Sequence, residues 1–340
     1  MNRVTSAWVD GWARVMRAPA VLAGVAVMTL AGAVPFAITL RAAVATHLAT
    51  SQMARQATDG VNYDWWQEFL SQASGMGATF SPRVVGFAAT LDSLSAIADA
   101  RRETTALVGL MAVYILVWTG LIGGIVDRYA RQRPTRVQGF AAASATFFVR
   151  FLRLGVISGV VYAWLFGYLH PWLFDERIAS LTRGLDSERV AFAWRVAGYV
   201  VFGALVVAAN VVFDYAKIRM VVEDRRSALG GLTAGFRFVW RHAPSVVGLY
   251  AANLLVFLGV VAVWALVAPR VTAAGPGMWA AFLLGQCVVV ARLGAKLHFL
   301  ASQTALFQAS LAHADYVAAP VPTWPESPAV EAVARSASNA

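Results

Sequence analysis

Six long apolar segments alternate with polar connectors along the 340-residue chain. Each apolar segment is close to the ~20 residues that an α-helix needs to cross a hydrocarbon core of about 30 Å. The six are residues 21–40, 105–126, 154–174, 196–213, 245–268 and 278–300. This pattern predicts an all-α fold, a polytopic integral membrane protein with six transmembrane helices.

Composition agrees with this prediction, since 59% of residues are apolar and only 14% are charged. A soluble domain of this length carries far less apolar sequence. A cleavable signal peptide is the alternative for the first segment. Its apolar run is longer than the 7–15 residues of a signal-peptide core, and no clear small-residue cleavage site follows. We therefore expect the segment to be a span.

Positive charge is concentrated in every second connector. The connector between spans two and three holds six arginines against one acidic residue, and that between spans four and five holds six cations against three acidic residues. The connectors over 43–104 and 175–195 are acidic and neutral, respectively. Because short arginine-rich loops stay in the cytoplasm, both termini are predicted to be cytoplasmic. The net charge of +10 therefore indicates a membrane surface, and not nucleic acid, as the partner.

A similar segment precedes the first, third and fifth spans, and each combines aromatic residues at helical spacing with arginine. Trp8 and Trp12, like Phe236 and Trp240, are i, i+4 pairs that share one helix face. We expect interfacial amphipathic helices near 5–17, 136–150 and 227–241. An ordinary aromatic belt with arginines reaching the headgroups is the alternative. The candidate contacts to anionic lipid are Arg14, Arg17, Arg150, Arg153, Arg237 and Arg241.

The second and fourth spans also end alike. Asp127 follows the second span and Asp214 the fourth, and a Tyr and a cation come directly after each of them. The chain therefore reads as three parallel helix-hairpin repeats, related by an axis along the membrane normal. We expect one six-helix transmembrane domain over residues 1–317. Residues 318–340 contain four prolines and no apolar periodicity, which predicts a disordered cytoplasmic tail.

The junction FDYAKIRMVVEDRRSALGGLTAGFRFVWRH, residues 213–242, supports a family resemblance. It resembles the region between two spans in poorly characterised bacterial six-span membrane proteins of the glycerophosphodiester phosphodiesterase membrane-domain type. The resemblance implies a helical module in the bacterial cytoplasmic (inner) membrane. It implies no phosphodiesterase activity, because the chain has no catalytic domain of that enzyme.

The connector over residues 43–104 is predicted to form an extracytoplasmic helical loop. Asp64 is placed to cap the amino terminus of a short amphipathic helix, and Ser81 with Pro82 opens a second helix through Asp99. Trp65 and Trp66 are candidates for an outer partner surface. The alternative is that they anchor the loop at the lipid boundary, as aromatic residues there commonly do.

No motif for catalysis, nucleotide binding or metal binding occurs in the chain. HExxH, CxxC, GxxxxGK and GxSxG are absent, and no two histidines have metal-ligand spacing. Cys287 is the single cysteine, so an internal disulfide is impossible. We expect no cofactor and no enzyme activity, although motif spacing does not exclude a site assembled in space.

Two cations inside the sixth span are the strongest functional signal. Arg292 and Lys296 are i, i+4 neighbours, and Arg292 lies 14 residues after the start of the span. A charge at that depth is costly unless it is paired or reaches the headgroups. Reaching the cytoplasmic headgroups is one interpretation. The other is a polar cluster lining an inner vestibule that suits an anionic headgroup or solute. Its members would be Asp127, Asp214, Arg292 and Lys296, with Asn210 and Gln286 as further candidates.

These observations favour a non-catalytic membrane-embedded subunit or scaffold that binds partner proteins, anionic lipid or both. A small-solute or lipid transporter or channel with a cytoplasmic polar vestibule is the alternative. Transporters commonly contain helices broken within the membrane, whereas here only Pro35 lies well inside a predicted span and Pro171 lies near the end of one. GxxxG spacings at Gly120–Gly124 and Gly155–Gly159 indicate close helix packing or homo-oligomerisation.

The predicted orientation is testable by cysteine labelling in a Cys287→Ser background. A cysteine replacing Ser71 should react with an impermeant maleimide in intact cells, because it lies in the outer loop. A matched cysteine replacing Ser227, in an arginine-rich connector, should react only after permeabilisation. Labelling of the Ser71 position from the cytoplasmic side alone would refute the topology.

Overall fold

A computed structural model describes residues 3–51, 62–80, 89–101, 105–267 and 277–312. Within these ranges the chain is helical and contains no strand. The helices are α1 (Arg3–Met16), α2 (Pro19–Thr50), α3 (Tyr63–Gln72), α4 (Ala89–Ala98), α5 (Thr105–Arg131), α6 (Val137–Trp164), α7 (Glu188–Val222), α8 (Ala228–Arg241), α9 (Ala243–Val267) and α10 (Gly277–Ala312).

Six of these helices are long and apolar enough to cross a membrane, which confirms the prediction of an all-α fold with six such helices. They are α2, α5, α6 with its continuation, α7, α9 and α10. In their most apolar stretches only 6–22% of the residues are buried against other helices. The outward-facing side chains are therefore apolar, and lipid is the solvent that suits them.

Several helices extend well beyond the predicted spans, and α7 covers Glu188–Val222 where 196–213 was predicted. α2 continues from residue 40 to Thr50, because its last turns are rich in alanine and contain no proline or glycine. The connector between α2 and α5, which was predicted to be the outer one, therefore begins at residue 51 and not at 43. α10 continues from residue 300 to Ala312.

The three predicted interfacial segments are all helical, but the middle one differs from the others. α1 and α8 are separate helices, because Pro19 and Pro244 begin the helices that follow them. Residues 137–150 instead form the first half of α6 and run straight into the third span. No proline interrupts this stretch until Pro171.

Pro171 marks a change of helix type near the far end of α6. π-helical turns at Leu165–Leu169 and Trp172–Ile178 lie on either side of it, and an α-helical turn at Ala179–Thr182 follows. Proline has no backbone N–H and cannot complete the regular hydrogen-bond ladder. The helix therefore loosens at this point and still continues to Thr182.

The buried core lies at one end of the bundle, where α10 is surrounded by neighbouring helices. Leu297, Ala301 and Phe307 of α10 are completely buried. Ion pairs and buried polar groups from α1, α5, α7 and α10 lie in this region, among them the pairs Asp10–Arg14 and Asp127–Arg131. We call this region the charged end. The spans are mostly exposed towards their opposite ends.

Each of the three aromatic–arginine segments packs most extensively against the second, fourth or sixth span. α1 packs against α10, the sixth span; the first half of α6 packs against α5, the second; and α8 packs against α7, the fourth. Small residues allow the close approach. A Cβ atom added to Gly235 would lie only 2.8 Å from the backbone nitrogen of Ala216. The corresponding close pairs are Gly11 with Ser302, Ser144 with Gly124, and Gly235 with Ala216. Such contacts are the main source of helix association in lipid.

Arg14 joins three helices at the charged end. It is only 5% exposed, and it pairs with Asp10 at 2.7 Å. Its guanidinium also donates to the backbone oxygen of Tyr129 in α5 at 3.0 Å and to Gln308 in α10 at 2.6 Å. The prediction that Arg14 contacts lipid is therefore wrong, because its donors are occupied inside the protein.

The first part of the outer connector covers the end of α2. α3 begins after Asn62, whose side chain accepts from the backbone N–H of Trp65 at 3.0 Å, so the predicted cap at Asp64 is wrong by two residues. Trp65 is 5% exposed and packs near His47. It is therefore not available as a partner surface. Trp66 is half-buried and donates to the oxygen of Phe80 at 3.0 Å.

α4 covers the ends of other spans. The oxygen of Ala98 is 2.8 Å from Nε2 of His170, and the carboxylate of Asp99 accepts from the hydroxyl of Tyr199 at 2.7 Å. The predicted start of this helix at Ser81 lies outside the described residues. The predicted tail, residues 318–340, also lies outside them.

The Gly235 contact predicts a specific loss of stability. Gly235→Ala should destabilise the protein by about 1–3 kcal/mol, because the added methyl group meets the backbone of Ala216 and forces α7 and α8 apart. Thermal unfolding in detergent would measure this. Gly203→Ala is the matched control, since nothing lies within 4 Å of its added Cβ. Equal unfolding temperatures for the two variants would contradict the packing argument.

Candidate functional site

A cavity of about 810 Å³ lies beside the buried core, between α5, α6, α7, α9 and α10. Aromatic and aliphatic side chains form most of its wall. A polar patch interrupts this wall and contains three cationic side chains, Lys217, Arg292 and Lys296, and one carboxylate, Asp214. The described lining therefore carries an excess of two positive charges.

The carboxylate belongs to a hydrogen-bonded group on α7 and α9. Lys217 pairs with Oδ1 of Asp214 at 2.7 Å, and the hydroxyl of Tyr250 donates to Oδ2 at 2.7 Å. Asn210 donates to the hydroxyl of Tyr250 at 2.8 Å. Residues 210, 214 and 217 share one face of α7 because they are spaced i, i+4, i+7. Both carboxylate oxygens of Asp214 are thus engaged, and Lys217 balances its charge.

α10 supplies the opposite wall. Lys296 donates to the hydroxyl of Tyr114 at 3.1 Å, and its Nζ lies 3.4 Å from the centre of the Trp118 ring. A ring face stabilises a cation without neutralising it. Among the described residues, no carboxylate forms an ion pair with Lys296 or Arg292, and Arg292 makes no hydrogen bond to them. Lys217, Asp214 and Arg292 all lie within electrostatic range of Lys296, so these charges converge on one region.

Gln303 lies at the closed end of the cavity. It is completely buried, and neither amide atom has a hydrogen bond within the described part of the chain. The hydroxyl of Tyr250 is within reach, but it gives its proton to Asp214 and already accepts from Asn210. Gln303 is thus a buried side chain with both amide atoms unpartnered among the described residues.

The structure brings together part of the predicted polar cluster. Asp214, Arg292 and Lys296 line the same cavity, as does Asn210, whereas Asp127 and Gln286 do not. Asp127 instead pairs with Arg131 at 2.6 Å in the charged end. Among the described residues neither aspartate forms a direct ion pair with a cation of α10, since Asp214 pairs with Lys217 and Asp127 with Arg131.

The two aspartates were expected at equivalent positions, but they have different surroundings. Asp127 lies three residues after Gly124, whose Cβ position meets Ser144, whereas Asp214 lies two residues before Ala216, which meets Gly235. Asp214 lines the cavity, and Asp127 pairs with Arg131 outside it.

The remaining candidate lipid contacts lie outside the cavity. Arg150 pairs with Asp224 at 2.6 Å. The exposed arginines of this set are Arg17, Arg153, Arg237 and Arg241. Exposure leaves these four side chains available to a headgroup layer, and their contact with lipid stays a prediction.

Sequence reasoning missed several cavity residues, chiefly because helices extend beyond the predicted spans. Lys217 was counted as a loop charge, but α7 continues to Val222 and places it beside Asp214. Gln303 lies beyond the predicted end of the sixth span, yet it is spaced i+7 from Lys296 and shares its helix face. Continuing the helical face past residue 300 would have found it. Tyr250 carried no signal, because its partner is 36 residues away.

No group of three or more His, Cys, Asp or Glu side chains that could hold a metal ion occurs among the described residues. No family model, curated protein or solved structure matches the chain. The resemblance of residues 213–242 to bacterial phosphodiesterase membrane domains stays a prediction.

The paired carboxylate predicts energetic coupling across one turn of α7. Asp214→Asn and Lys217→Gln should each lower thermal stability in detergent, and the double variant should lose less than their sum. The expected coupling is about 0.5–3 kcal/mol, as for other contacting charges. The Asp214→Asn and Arg292→Gln pair serves as the comparison, since no ion pair joins those residues. Full additivity for Asp214 and Lys217 would show that their contact contributes nothing.

Proposed function

We propose that this chain is a non-catalytic membrane protein that binds anionic lipid in the cavity between α5, α6, α7, α9 and α10. The observation that carries the proposal is the uncompensated positive charge of the cavity wall. Arg292 and Lys296 have no carboxylate partner among the described residues, and Asp214 is already neutralised by Lys217. Cations at membrane depth are costly without a counter-charge. The phosphate of a lipid would supply that charge.

The remaining wall suits the apolar part of the same ligand. Ile115, Leu293 and Phe257 line the cavity beside the cations. A ligand site of this kind combines a mostly apolar surface with a few placed polar groups. A cavity of about 810 Å³ holds a headgroup and the first part of its chains, and the exposed spans leave the chains free to continue into the bilayer.

The extent of the cavity favours binding over conduction. On α10 its lining runs from Val289 to Gln303, which corresponds to about 21 Å at 1.5 Å per residue. The hydrocarbon core is about 30 Å thick. Completely buried residues such as Leu297 and Ala301 pack next to its closed end. These features support a pocket closed at one end.

The proposal includes an orientation and a cellular role. The arginine-rich charged end would face the cytoplasm of a bacterium with the protein in its inner membrane, so that the cavity meets the inner leaflet. Exposed Arg237 and Arg241, beside exposed Trp240 on α8, would lie among the headgroups. In this role the protein is a membrane-embedded subunit or scaffold, with membrane proteins or a second copy of itself as partners.

We also propose that the chain consists of three units arranged around an axis along the membrane normal. The pairing of α1 with α10, the first half of α6 with α5, and α8 with α7 supports it. The first half of α6 and α8 each pack against the span that precedes them in the chain. α1 packs against the last span, so the three contacts close a ring. Such a closed ring requires every unit to enter and leave on one side.

A lipid transporter is the second candidate, and the irregular part of α6 favours it. Tyr162 lines the cavity just before the π-helical turn at Leu165–Leu169. π-helical turns frequently occur at functional sites. Movement of fluorescent lipid between leaflets in reconstituted vesicles would identify transport, whereas binding without movement supports the first proposal.

Lipid binding can be measured directly with purified protein in detergent. Arg292→Gln and Lys296→Gln should each weaken binding of phosphatidylglycerol at least about tenfold, as expected for the loss of a charge-assisted contact. Native mass spectrometry with lipid titration provides the measurement. Arg189→Gln is the charge-matched control, because Arg189 is exposed and outside the cavity. No preference of the wild-type protein for phosphatidylglycerol over phosphatidylcholine would refute the proposed function.

A further inference from the structure

The charge of the cavity wall indicates how many negative charges the ligand carries, and not only that the ligand is negative. Three cationic side chains and one carboxylate line it, so the described wall has an excess charge of two. Each uncompensated charge in the membrane is penalised separately. A ligand with one negative charge would leave one cation without a counter-charge, whereas a ligand with two would balance the wall.

The cations are placed to act on a single group. Arg292 and Lys296 are i, i+4 neighbours, so their Cβ atoms are about 6 Å apart. Lys217 lines the same cavity from the opposite wall. The three charges therefore face one cavity, in which a compact headgroup can lie.

The available hydrogen-bond donors also suit a group with several acceptor oxygens. Lys296 has donors left after its contact with Tyr114, and Arg292 has all of its donors available within the described residues. The carboxylate of Asp214 already accepts from Lys217 and Tyr250. Donors on α10 thus outnumber free acceptors in this part of the wall.

We propose that the preferred ligand is a lipid whose headgroup is a terminal phosphate monoester, with the phosphate between Arg292 and Lys296. Such a group carries a charge of about −1.5 to −2 at neutral pH and offers three strong acceptor oxygens. A phosphodiester lipid such as phosphatidylglycerol carries one charge. A headgroup with an added ammonium group is disfavoured, because it brings a positive charge to an already cationic wall. This inference rests on the proposed function of the same cavity.

The test compares dioleoyl phosphatidic acid, phosphatidylglycerol and phosphatidylcholine at one neutral pH, by native mass spectrometry of the full chain in detergent. The wild-type protein should bind phosphatidic acid about tenfold more tightly than phosphatidylglycerol, because one additional charge is balanced. Arg292→Gln should remove most of this ratio, since it lowers the excess charge to one. Arg292→Lys should retain it, and Arg189→Gln should leave it unchanged.

Asp214→Asn provides a change in the opposite direction. It raises the excess charge of the wall and should therefore increase the preference for phosphatidic acid, even if it lowers stability. Equal binding of phosphatidic acid and phosphatidylglycerol, both above phosphatidylcholine, would overturn the monoester assignment and leave the proposed function intact. An unchanged ratio in Arg292→Gln would also overturn it. Equal binding of all three lipids would refute both proposals.

Discussion

Close contact between helix backbones at the charged end is the constraint on which the rest of the bundle depends. Lipid provides little hydrophobic drive for one apolar helix to join another, so association requires close packing and polar contacts. Both occur at this end, in the small-residue contact of Gly235 with Ala216 and in the three-helix hydrogen bonding of Arg14. The spans are not held in this way along their whole length, and the cavity lies beside the tightly packed region.

Ion pairing inside the charged end also determines where unbalanced charge is found. Four acidic residues there are each paired with arginine: Asp10, Asp127, Glu223 and Asp224. These carboxylates are therefore not available to form ion pairs with the cations of the cavity. Among the described residues Asp214 is the one acidic side chain that lines the cavity, and it is paired with Lys217. The positive excess at Arg292 and Lys296 therefore follows from how the chain uses its few acidic residues.

The sequence was sufficient to predict the six spans, because hydrophobic length is a direct physical requirement of the bilayer. It also placed Asp214, Arg292 and Lys296 in one candidate site. Other details depend on tertiary contacts that a single sequence does not reveal. The cap at Asn62 was missed in favour of Asp64, and Asp127 was assigned to the cavity because its neighbours in sequence resemble those of Asp214. The partner of each aspartate, Arg131 for Asp127 and Lys217 for Asp214, became visible only in the fold.

The contact between α1 and α10 has a consequence for how the protein is made. α1 is synthesised before α10, its main packing partner, and five span-length helices lie between them in the chain. Gly11, Arg14 and Trp12 consequently remain without Ser302, Gln308 and His298 while the intervening spans are inserted. Until α10 has been made, the chain exposes the polar face of α1 that the folded bundle conceals.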